Sequence, residues 1–328
     1  MYHVRLFQPT PAEYAAILQV HRAAWPDARH TSVAAWQAND QEVPPSALHQ
    51  RIVAEHGGAI VAEGACYAAF WHHQSDTIHL EWNAHPDHAG ASLDTLLYER
   101  LLALVDERAP AATTLASETR EDRPARIAFL AAQGFTQQLR SPRSALDVRA
   151  APAPQLEAIV AQQAAQGIRI MTLADIQAAD ANWKQGLYEL RCAIMQDVPA
   201  IEPPARSTLA EFEQQVLDDP ALDAAAWFVA VDAAQAAQGA AAPLIGMSNL
   251  WLNDPTRQRL DTGLTGVLRP YRRRGIATAL KQHTIAFARA CGARVIETSN
   301  EEHNPMYQLN LQLGFQPLPA WLSYRRAR

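Results

Sequence analysis

The hydrophobic and polar positions of this chain repeat in two similar halves. Residues 4–7 (VRLF) alternate as in a β-strand, and residues 12–24 then place apolar side chains at helical spacing. The same order returns at residues 168–171 (IRIM), which precede a helical pattern over residues 176–195. We therefore expect one fold that occurs twice along the chain.

Each half continues with strand patterns. In the first half, residues 51–63 contain two apolar runs around the turn HGG, which predicts a β-hairpin, and residues 226–251 form the corresponding pair. A further strand, residues 77–84 or 261–268, precedes a turn and a helix. Each half closes on an apolar helix that runs into Gly-Phe. The predicted fold class is α/β, with a mixed α+β sheet flanked by helices in each half.

The boundary between the halves is predicted near residue 150. Residues 150–154 (AAPAP) break the pattern, and residues 155–166 have the composition of a short linking helix ended by Gly167. A length of 328 residues also fits two domains. We predict a first domain over residues 1–150, a linker over residues 151–167 and a second domain over residues 168–328.

The composition excludes several classes of protein. Of the residues, 48% are hydrophobic and 19% are charged, which is typical of a globular protein. No apolar run reaches the length of a membrane helix, and the N-terminus does not resemble a signal peptide, so we expect a cytoplasmic protein with no membrane partner. Cys66, Cys192 and Cys291 are widely spaced and predict free thiols. The net charge of -6 argues against a nucleic-acid partner.

The most informative segment is residues 265–281 (TGVLRPYRRRGIATALK). An apolar strand ends at Leu268, Pro270 turns the chain, and an amphipathic helix follows. Gly275 permits a tight turn, and the first amides of a helix are unpaired donors at the positive end of its dipole. With the added charge of residues 272–274, the segment is suited to binding a diphosphate.

An arginine run by itself has a less specific interpretation. Arg272, Arg273 and Arg274 could form a solvated basic turn or a nucleic-acid patch. Their position at a strand-to-helix junction favours the diphosphate site. Apart from the terminal residues 325–328, no second basic region supports a nucleic-acid surface.

Two motifs in the second half resemble a known family. The pattern Arg272-x-x-Gly275-x-Ala277 resembles the acyl-CoA signature of the GNAT superfamily of N-acetyltransferases, and residues 297–315 resemble its closing strand, helix and Leu-Gly-Phe. Since the first half has the same order of elements, the resemblance covers nearly the whole chain. It implies two GNAT-like acyl-CoA N-acyltransferase domains in tandem, with acetyl-CoA as the co-substrate.

The first half departs from the family signature at the matching turn, residues 85–97. In one alignment, Ser92 replaces the signature glycine and Asp94 replaces the small residue; in another, Gly90 is the glycine and Asp87 stands at the arginine position. In both alignments an acidic residue would repel a diphosphate. We expect a degenerate GNAT-like domain that does not bind CoA at this turn and that shapes the acceptor pocket or a homodimer surface.

The resemblance also implies which residues contact the cofactor. A backbone amide near Val267 or Leu268 is expected to hold the acetyl carbonyl. Three asparagines are expected to hydrogen-bond the pantetheine arm or the start of a helix. The implied cofactor-binding residues are Val267, Leu268, Arg272, Arg273, Arg274, Gly275, Ile276, Ala277, Thr278, Asn300, Asn304 and Asn310.

The residues that move protons are less clearly indicated. Asp261 aligns with a glutamate thought to act as the base in several family members, although it could equally end a loop, and Glu297 is the alternative. The family commonly places a tyrosine as the acid at the position of Asn310. Tyr307, one turn earlier, is therefore the candidate acid, with core packing as its other interpretation. No nucleophilic cysteine or serine is indicated.

Two functions remain open at this point. The first is direct acetyl transfer, in a ternary complex, to a primary amine of a small molecule or peptide. The second is a non-catalytic acyl-CoA-binding sensor or interaction module, since the usual tyrosine is missing at Asn310. The pairs His72-His73 and His85-x-x-His88 lack metal-ligand spacing, so we expect no metal.

Overall fold

The computed structural model describes residues 1–27, 32–44, 47–68, 76–201, 206–236, 243–254 and 256–328. The chain divides into two compact units. The first comprises Met1–Arg140 and Trp321–Arg328, and the second comprises Ser141–Ala320. No described helix combines the length and the apolar character that crossing a membrane requires. His72 and His73 lie outside the described residues.

The first unit is a mixed sheet with helices. Its elements are β1 (His3–Leu6), α1 (Pro11–Ala24), α2 (Val33–Glu42), β2 (His49–His56), β3 (Ala59–Ala68), β4 (Thr77–Ala84), a 3₁₀ turn (Pro86–His88), α3 (Ala91–Arg108), β5 (Thr114–Arg120), α4 (Pro124–Ala132), and parts of β6 (Thr136–Asp147) and of the last strand (Gln316–Ala327). The strand order is β1-β2-β3-β4-β5 and then the last strand, with β4 and β5 parallel.

The second unit repeats this architecture. Its elements are the end of β6, α5 (Leu156–Ala164), β7 (Ile168–Thr172), α6 (Leu173–Ala179), α7 (Trp183–Met195), α8 (Leu209–Phe212), a π-helical turn (Glu213–Leu217), β8 (Leu222–Asp232), α9 (Ala233–Ala236), β9 (Leu244–Trp251), β10 (Arg259–Val267), a 3₁₀ turn (Arg269–Tyr271), α10 (Ile276–Ala290), β11 (Val295–Ser299), α11 (Pro305–Gln312) and the start of the last strand, β12. The strand order is β7-β8-β9-β10-β11-β6, with β10 and β11 parallel.

The repeat predicted from the sequence is therefore present, but the final strands of the two halves are exchanged. β6 follows the first half in sequence, yet its residues 143–147 pair with β11 of the second unit. β12 ends the second half, yet its residues 321–327 pair with β5 of the first unit. Each unit thus completes its sheet with a strand that belongs to the other half of the sequence.

This exchange moves the boundary from the place predicted by the sequence. The change of unit falls between Arg140 and Ser141, inside β6, instead of near residue 150. The segment 151–167 that was predicted to be a linker belongs to the second unit, where α5 packs against α10 and β7. Gln163 of α5 is 2% exposed, which is the burial of a core position.

The helix predicted over residues 176–195 is two helices. α6 ends at Ala179 because Asp180 takes an extended conformation. The carboxylate of Asp180 then accepts a hydrogen bond from the backbone N–H of Asn182 at 2.8 Å, which closes a local turn before α7. Aspartate and asparagine compete with helical hydrogen bonding in this way, and apolar periodicity alone does not detect the competition.

Apolar side chains fill both faces of the second sheet. On one face, α7 packs on Trp227, Met247 and the π-helical turn. On the other face, Ile276 and Leu280 of α10 pack on β8, β9 and Val267. These two layers fix α10 at the end of β10, where the sequence predicted the diphosphate turn.

Candidate functional site

The site begins at a gap between two parallel strands. β10 pairs with β11 only from Arg259 to Asp261, opposite Val295 to Glu297. Beyond that point both strands continue, β10 to Val267 and β11 to Ser299, without further pairing between them among the described residues. We call this opening the strand gap. It leaves one edge of β10 free to bind a ligand.

A bulge in β10 accompanies the strand gap. The register of β10 against β9 shifts between Thr262 and Thr265. Asn249, which is 2% exposed, accepts a hydrogen bond from the backbone N–H of Leu264 at 2.9 Å and so holds the extra residues in place. A Cβ at Gly263 would stand 2.5 Å from the Asn249 side chain, so this position requires glycine.

The ladder between β9 and β10 decides which backbone amides face the strand gap. The amide of Leu268 donates to the carbonyl of Ile245 at 2.9 Å. Because hydrogen bonds alternate along antiparallel strands, the N–H of its neighbour Val267 points away from β9 and toward the strand gap. Of the two residues that the sequence proposed for the acetyl carbonyl, Leu268 has its amide occupied and Val267 has the suitable orientation.

The turn before α10 has the geometry of an anion site. Gly275 caps the helix with φ of 76° in the left-handed region, and no side chain caps the helix at this end. Arg273 also has a positive φ, 63°. α10 has 15 residues, and its first amides have no partner within the helix, so they point outward as donors.

A cleft of about 580 Å³ lies in front of this turn, and we call it the cofactor cleft. Val267, Gly275 and Asn304 line it. Five further residues that the sequence predicted to bind the cofactor also line it: Arg272, Arg273, Ile276, Ala277 and Thr278. The free edge of β10 and the start of α10 thus meet in one space.

The three arginines of the turn have different partners. Arg272 donates through Nε to the carbonyl of Val267 at 3.0 Å and forms an ion pair with Asp197, which also pairs with Arg269. The Arg269 and Arg272 guanidinium groups lower the pKa of Asp197 below its usual range. Arg274 instead donates to Gln166 and does not line the cofactor cleft.

A second cavity of about 260 Å³, which we call the gap cavity, lies within the strand gap. Its wall includes Thr262, Thr298, Ser299, Asn300 and Lys281. The gap cavity and the cofactor cleft share four lining residues: Val198, Thr265, Asn304 and Met306. The two spaces are therefore neighbours, separated by these shared side chains.

The predicted asparagines have distinct positions. Asn304 accepts a hydrogen bond from the backbone N–H of Met306 at 2.9 Å, which caps α11, and it lines both spaces. Asn300 lines the gap cavity. Asn310 is fully buried and donates to the Asn300 Oδ1 at 2.7 Å, so it orients Asn300 from behind. Tyr307, the predicted acid, lines neither space.

The two predicted carboxylates lie on the sheet face opposite α10. Leu260 and Ile296 pack in the core together with Ile285 of α10, so their neighbours Asp261 and Glu297 point the other way. Glu297 forms ion pairs with Arg259 and Arg143. Asp261 accepts a hydrogen bond from the Asn253 side chain at 3.3 Å. Neither carboxylate lines the cofactor cleft or the gap cavity.

Sequence reasoning missed Lys281. Its side chain is 1% exposed, and it extends from α10 into the wall of the gap cavity. The signal was present in the sequence, because Lys281 falls on the apolar stripe of α10 with Ala277, Leu280 and Thr284. A charged residue on such a stripe is unusual and marks a position with a special environment.

The corresponding turn of the first unit is shorter. Six residues separate the end of β4 at Ala84 from the start of α3 at Ala91, whereas eight separate Val267 from Ile276. Gly90 caps α3 in extended backbone, φ 167°, and not in the left-handed conformation. When α3 is aligned with α10, Gly90 therefore takes the position of Gly275, and the turn of the first unit is two residues shorter.

The comparison with protein families gives the same assignment for the second unit. Residues 185–315 match the model of the Acetyltransferase (GNAT) family. These residues form a GNAT acetyltransferase domain. The second unit thus contains an acyltransferase domain of the GNAT type. The search among curated proteins found no match.

Solved structures extend the GNAT likeness to the whole chain. A GCN5-related N-acetyltransferase from Sphaerobacter thermophilus superposes with a TM-score of 0.73 at 18% identity, covering 99% of this chain and 95% of that one. A tandem GNAT protein from the clavulanic acid biosynthesis pathway gives 0.70 at 19% identity, covering 100% and 98%. A putative acetyltransferase from Pyrococcus horikoshii gives 0.53 at 12% identity, covering 100% and 89%. The chain has the tandem GNAT fold.

Close packing under the cofactor cleft leads to a stability prediction. A methyl group at Gly266 would overlap the side chain of Ile194, and both residues line the cofactor cleft. We expect Gly266→Ala to lower the free energy of unfolding by about 1–3 kcal/mol, as overpacking does, and to weaken acetyl-CoA binding because α7 must move. Urea denaturation and calorimetry measure the two effects.

The matched control is Gly186→Ala, which lies within α7. A methyl group there would make ordinary contact with Leu244 at 3.4 Å, and alanine favours a helix by up to about 1 kcal/mol. We expect this variant to be as stable as the parent or more so. Equal stability of Gly266→Ala and the parent would contradict the packing argument.

Proposed function

We propose that the second unit binds acetyl-CoA and transfers the acetyl group directly to a primary amine of a small molecule or peptide. The observation that carries this proposal is the convergence of the α10 N-terminus and the free edge of β10 on one cleft. Together they offer donors for a diphosphate and, through the amide of Val267, a donor for a thioester carbonyl.

The cleft residues fit the parts of acetyl-CoA in order. The diphosphate would lie against the amides of residues 273–278, with Gly275 leaving no side chain in its way and Arg273 adding charge. Pantetheine would follow the free edge of β10, as an added strand does. The acetyl carbonyl would accept from the amide of Val267, and the gap cavity with Asn300 would receive the reacting end.

Direct attack in a ternary complex is part of the same proposal. Neither Cys192 nor Cys291 lines the cofactor cleft or the gap cavity. The amine must lose a proton before or during attack, and the carboxylates opposite α10 are the candidates for that step. Asp261 is the proposed proton acceptor, and Glu297, which pairs with Arg143 and Arg259, is the alternative.

The first unit is proposed to bind no CoA at the corresponding turn. The shortened turn lacks two of the residues whose amides would surround a diphosphate. Asp94, at the start of α3, accepts a hydrogen bond from Trp82 at 2.7 Å and forms an ion pair with Arg126, and it lines the cleft in front of that helix. A carboxylate in this position would repel a phosphate group.

The proposed function is tested by combining calorimetry with an assay of CoA thiol release. We expect one acetyl-CoA per chain, and thiol release when a panel of free amino acids, polyamines, amino sugars and short peptides contains an acceptor. Initial rates at varied concentrations of both substrates should give intersecting lines, as a ternary complex requires. Two acetyl-CoA sites per chain would contradict the proposal that the first unit binds no CoA. Parallel lines would contradict the ternary complex.

The same assay distinguishes acetyl transfer from the second candidate function, that of an acyl-CoA sensor. That function is favoured by one observation: Asn310, at the position of the family's usual acid, is buried and bonded to Asn300. A sensor would bind acetyl-CoA at one site and release no thiol with any amine. Absence of binding would overturn both functions.

A further inference from the structure

Lys281 is an amine buried within the second unit. Its Nζ makes one hydrogen bond, to the Thr262 Oγ1 at 3.4 Å, and lies 5.5 Å from the centre of the Phe315 ring. No carboxylate within the described residues forms an ion pair with it. Burial alone lowers the pKa of Lys281 to about 7, so its ammonium form is a much stronger acid than that of an exposed lysine.

The position of Lys281 connects it with the sulfur of the cofactor. Lys281 belongs to α10, the helix whose start faces the cofactor cleft, and its side chain lines the gap cavity next to that cleft. The amide of Val267, proposed to hold the acetyl carbonyl, lies on the strand edge that borders both spaces. With the thioester sulfur on the α10 side of the strand gap, Lys281 would be its neighbour, while Asp261 and Glu297 face the other side.

We propose that Lys281 is the catalytic acid that protonates the departing thiolate of CoA. This inference rests on the proposed function and adds a residue to it. As the acceptor nitrogen attacks the carbonyl carbon, a C–N bond forms and the C–S bond breaks with its electron pair on sulfur. The Lys281 ammonium gives its proton to that sulfur and becomes a neutral amine, which regains a proton from solvent; the amide nitrogen releases its proton to the base.

Other ionisable groups do not compete for this position. On the elements packed against α10, Asp232 accepts from Tyr271, and Asp261 and Glu297 lie on the opposite face. The remaining groups are Glu157 on α5, Asp223 on β8, Arg259 on β10, His283 and Arg289 on α10 itself, Arg143 in its pair with Glu297, and Glu301 in the wall of the gap cavity. Glu301, a carboxylate, is the one charged group besides Lys281 that lines the gap cavity.

The chain contains so few lysines that the pKa of Lys281 can be measured directly. Lys184 and Lys281 are the only lysines in the sequence. Lys184 is exposed and pairs with Glu213 at 3.0 Å. The variant Lys184→Arg keeps that charge and leaves Lys281 as the single lysine, so that one labelled signal reports on it. Arginine cannot give up its proton in a protein, which makes lysine the suitable residue for this role.

The first experiment titrates Lys281 in the Lys184→Arg protein labelled with ¹³C at lysine Cε. We expect its pKa near 7 in the free protein, a rise of about 1–3 with CoA, whose thiolate would pair with the ammonium, and little change with desulfo-CoA, which lacks the sulfur. A pKa near 10, or equal responses to CoA and desulfo-CoA, would overturn the proposal. If calorimetry shows no binding of CoA at all, the proposed function fails as well.

The second experiment compares the parent with Lys281→Met, which keeps the length and apolar stem of the side chain. In the parent, the thiolate absorbance of bound CoA should appear at a lower pH than in Lys281→Met, because the Lys281 ammonium stabilises the thiolate. With an acceptor found in the panel, we expect kcat to fall by about 10²–10⁴ in Lys281→Met, with the KM for acetyl-CoA nearly unchanged.

The pH profile gives a readout that a structural role would not change. The parent's kcat/KM for acetyl-CoA should decline as pH rises above about 7, because the acid must be protonated, and this decline should be absent from Lys281→Met. Thermal unfolding checks that the variant folds; removing an unpaired buried amine should leave stability equal or higher. An unchanged thiol pKa or an unchanged pH profile in Lys281→Met would refute the assignment.

Discussion

Gly275→Glu is expected to weaken acetyl-CoA binding at least about 100-fold. The variant places a carboxylate at the start of α10, where the helix dipole and free amides are proposed to hold the diphosphate. Like charges about 4 Å apart repel by about 4 kcal/mol near a protein surface, which exceeds what a 100-fold loss requires. Calorimetric titration of acetyl-CoA into parent and variant measures the effect.

The chain offers a closely matched control in Gly292→Glu. Gly292 follows the other end of α10, has φ of 79° against 76° at Gly275, and has no neighbour within 4 Å of an added Cβ. Both variants therefore carry similar backbone strain and the same new charge, but Gly292 does not line the cofactor cleft. Equal losses in the two variants would show that strain, and not the diphosphate site, causes the effect.

Truncation after Ala320 is expected to unfold the first unit. It removes residues 321–328, and with them the strand that pairs with β5 over seven residues. Leu322 and Tyr324, each 5% exposed, leave the core of the first unit. Loss of two large core side chains costs about 5 kcal/mol or more, which approaches the total stability of a typical domain.

Hydrogen exchange distinguishes this outcome from a general loss of stability. In the truncated chain we expect the amides of β5 to exchange much faster than in the parent, while those of β10 keep their protection. Truncation after Arg326 is the control, because it removes Ala327 and Arg328, with the bonds of Arg328 to Thr113 and Ala109, but leaves both core side chains in place. Protection of β5 after the longer truncation would contradict the strand exchange.

The strand exchange also explains why the sequence placed the domain boundary too late. The sequence predicted that each half closes on an apolar helix running into Gly-Phe, and the break at residues 150–154 then appeared to separate the domains. Which strand a given strand pairs with depends on contacts far away in sequence, and hydrophobic alternation does not encode the partner. The boundary inside β6 could therefore be recognised only in the folded chain.

The candidate site likewise has some features that the sequence predicted and others that only the folded chain shows. The diphosphate turn was predictable because its parts are local: Pro270 turns the chain, Gly275 allows a left-handed conformation, and the apolar spacing after it specifies a helix. The partners of Glu297 were not predictable, since Arg143 comes from β6, 154 residues away. Nor did the sequence indicate that the amide of Leu268 is bound by Ile245 while that of Val267 is free to face the strand gap.

The sequence by itself determined the repeat, the β-hairpin of each half, the turn before α10 and the resemblance to the GNAT superfamily. These follow from periodicity, turn chemistry and short motifs, which act over a few residues. Only the tertiary structure decided the exchange of strands, the environment of the two predicted carboxylates and the burial of Lys281 beside the strand gap. Those depend on which distant segments meet, and hence on how much water and charge each side chain has around it.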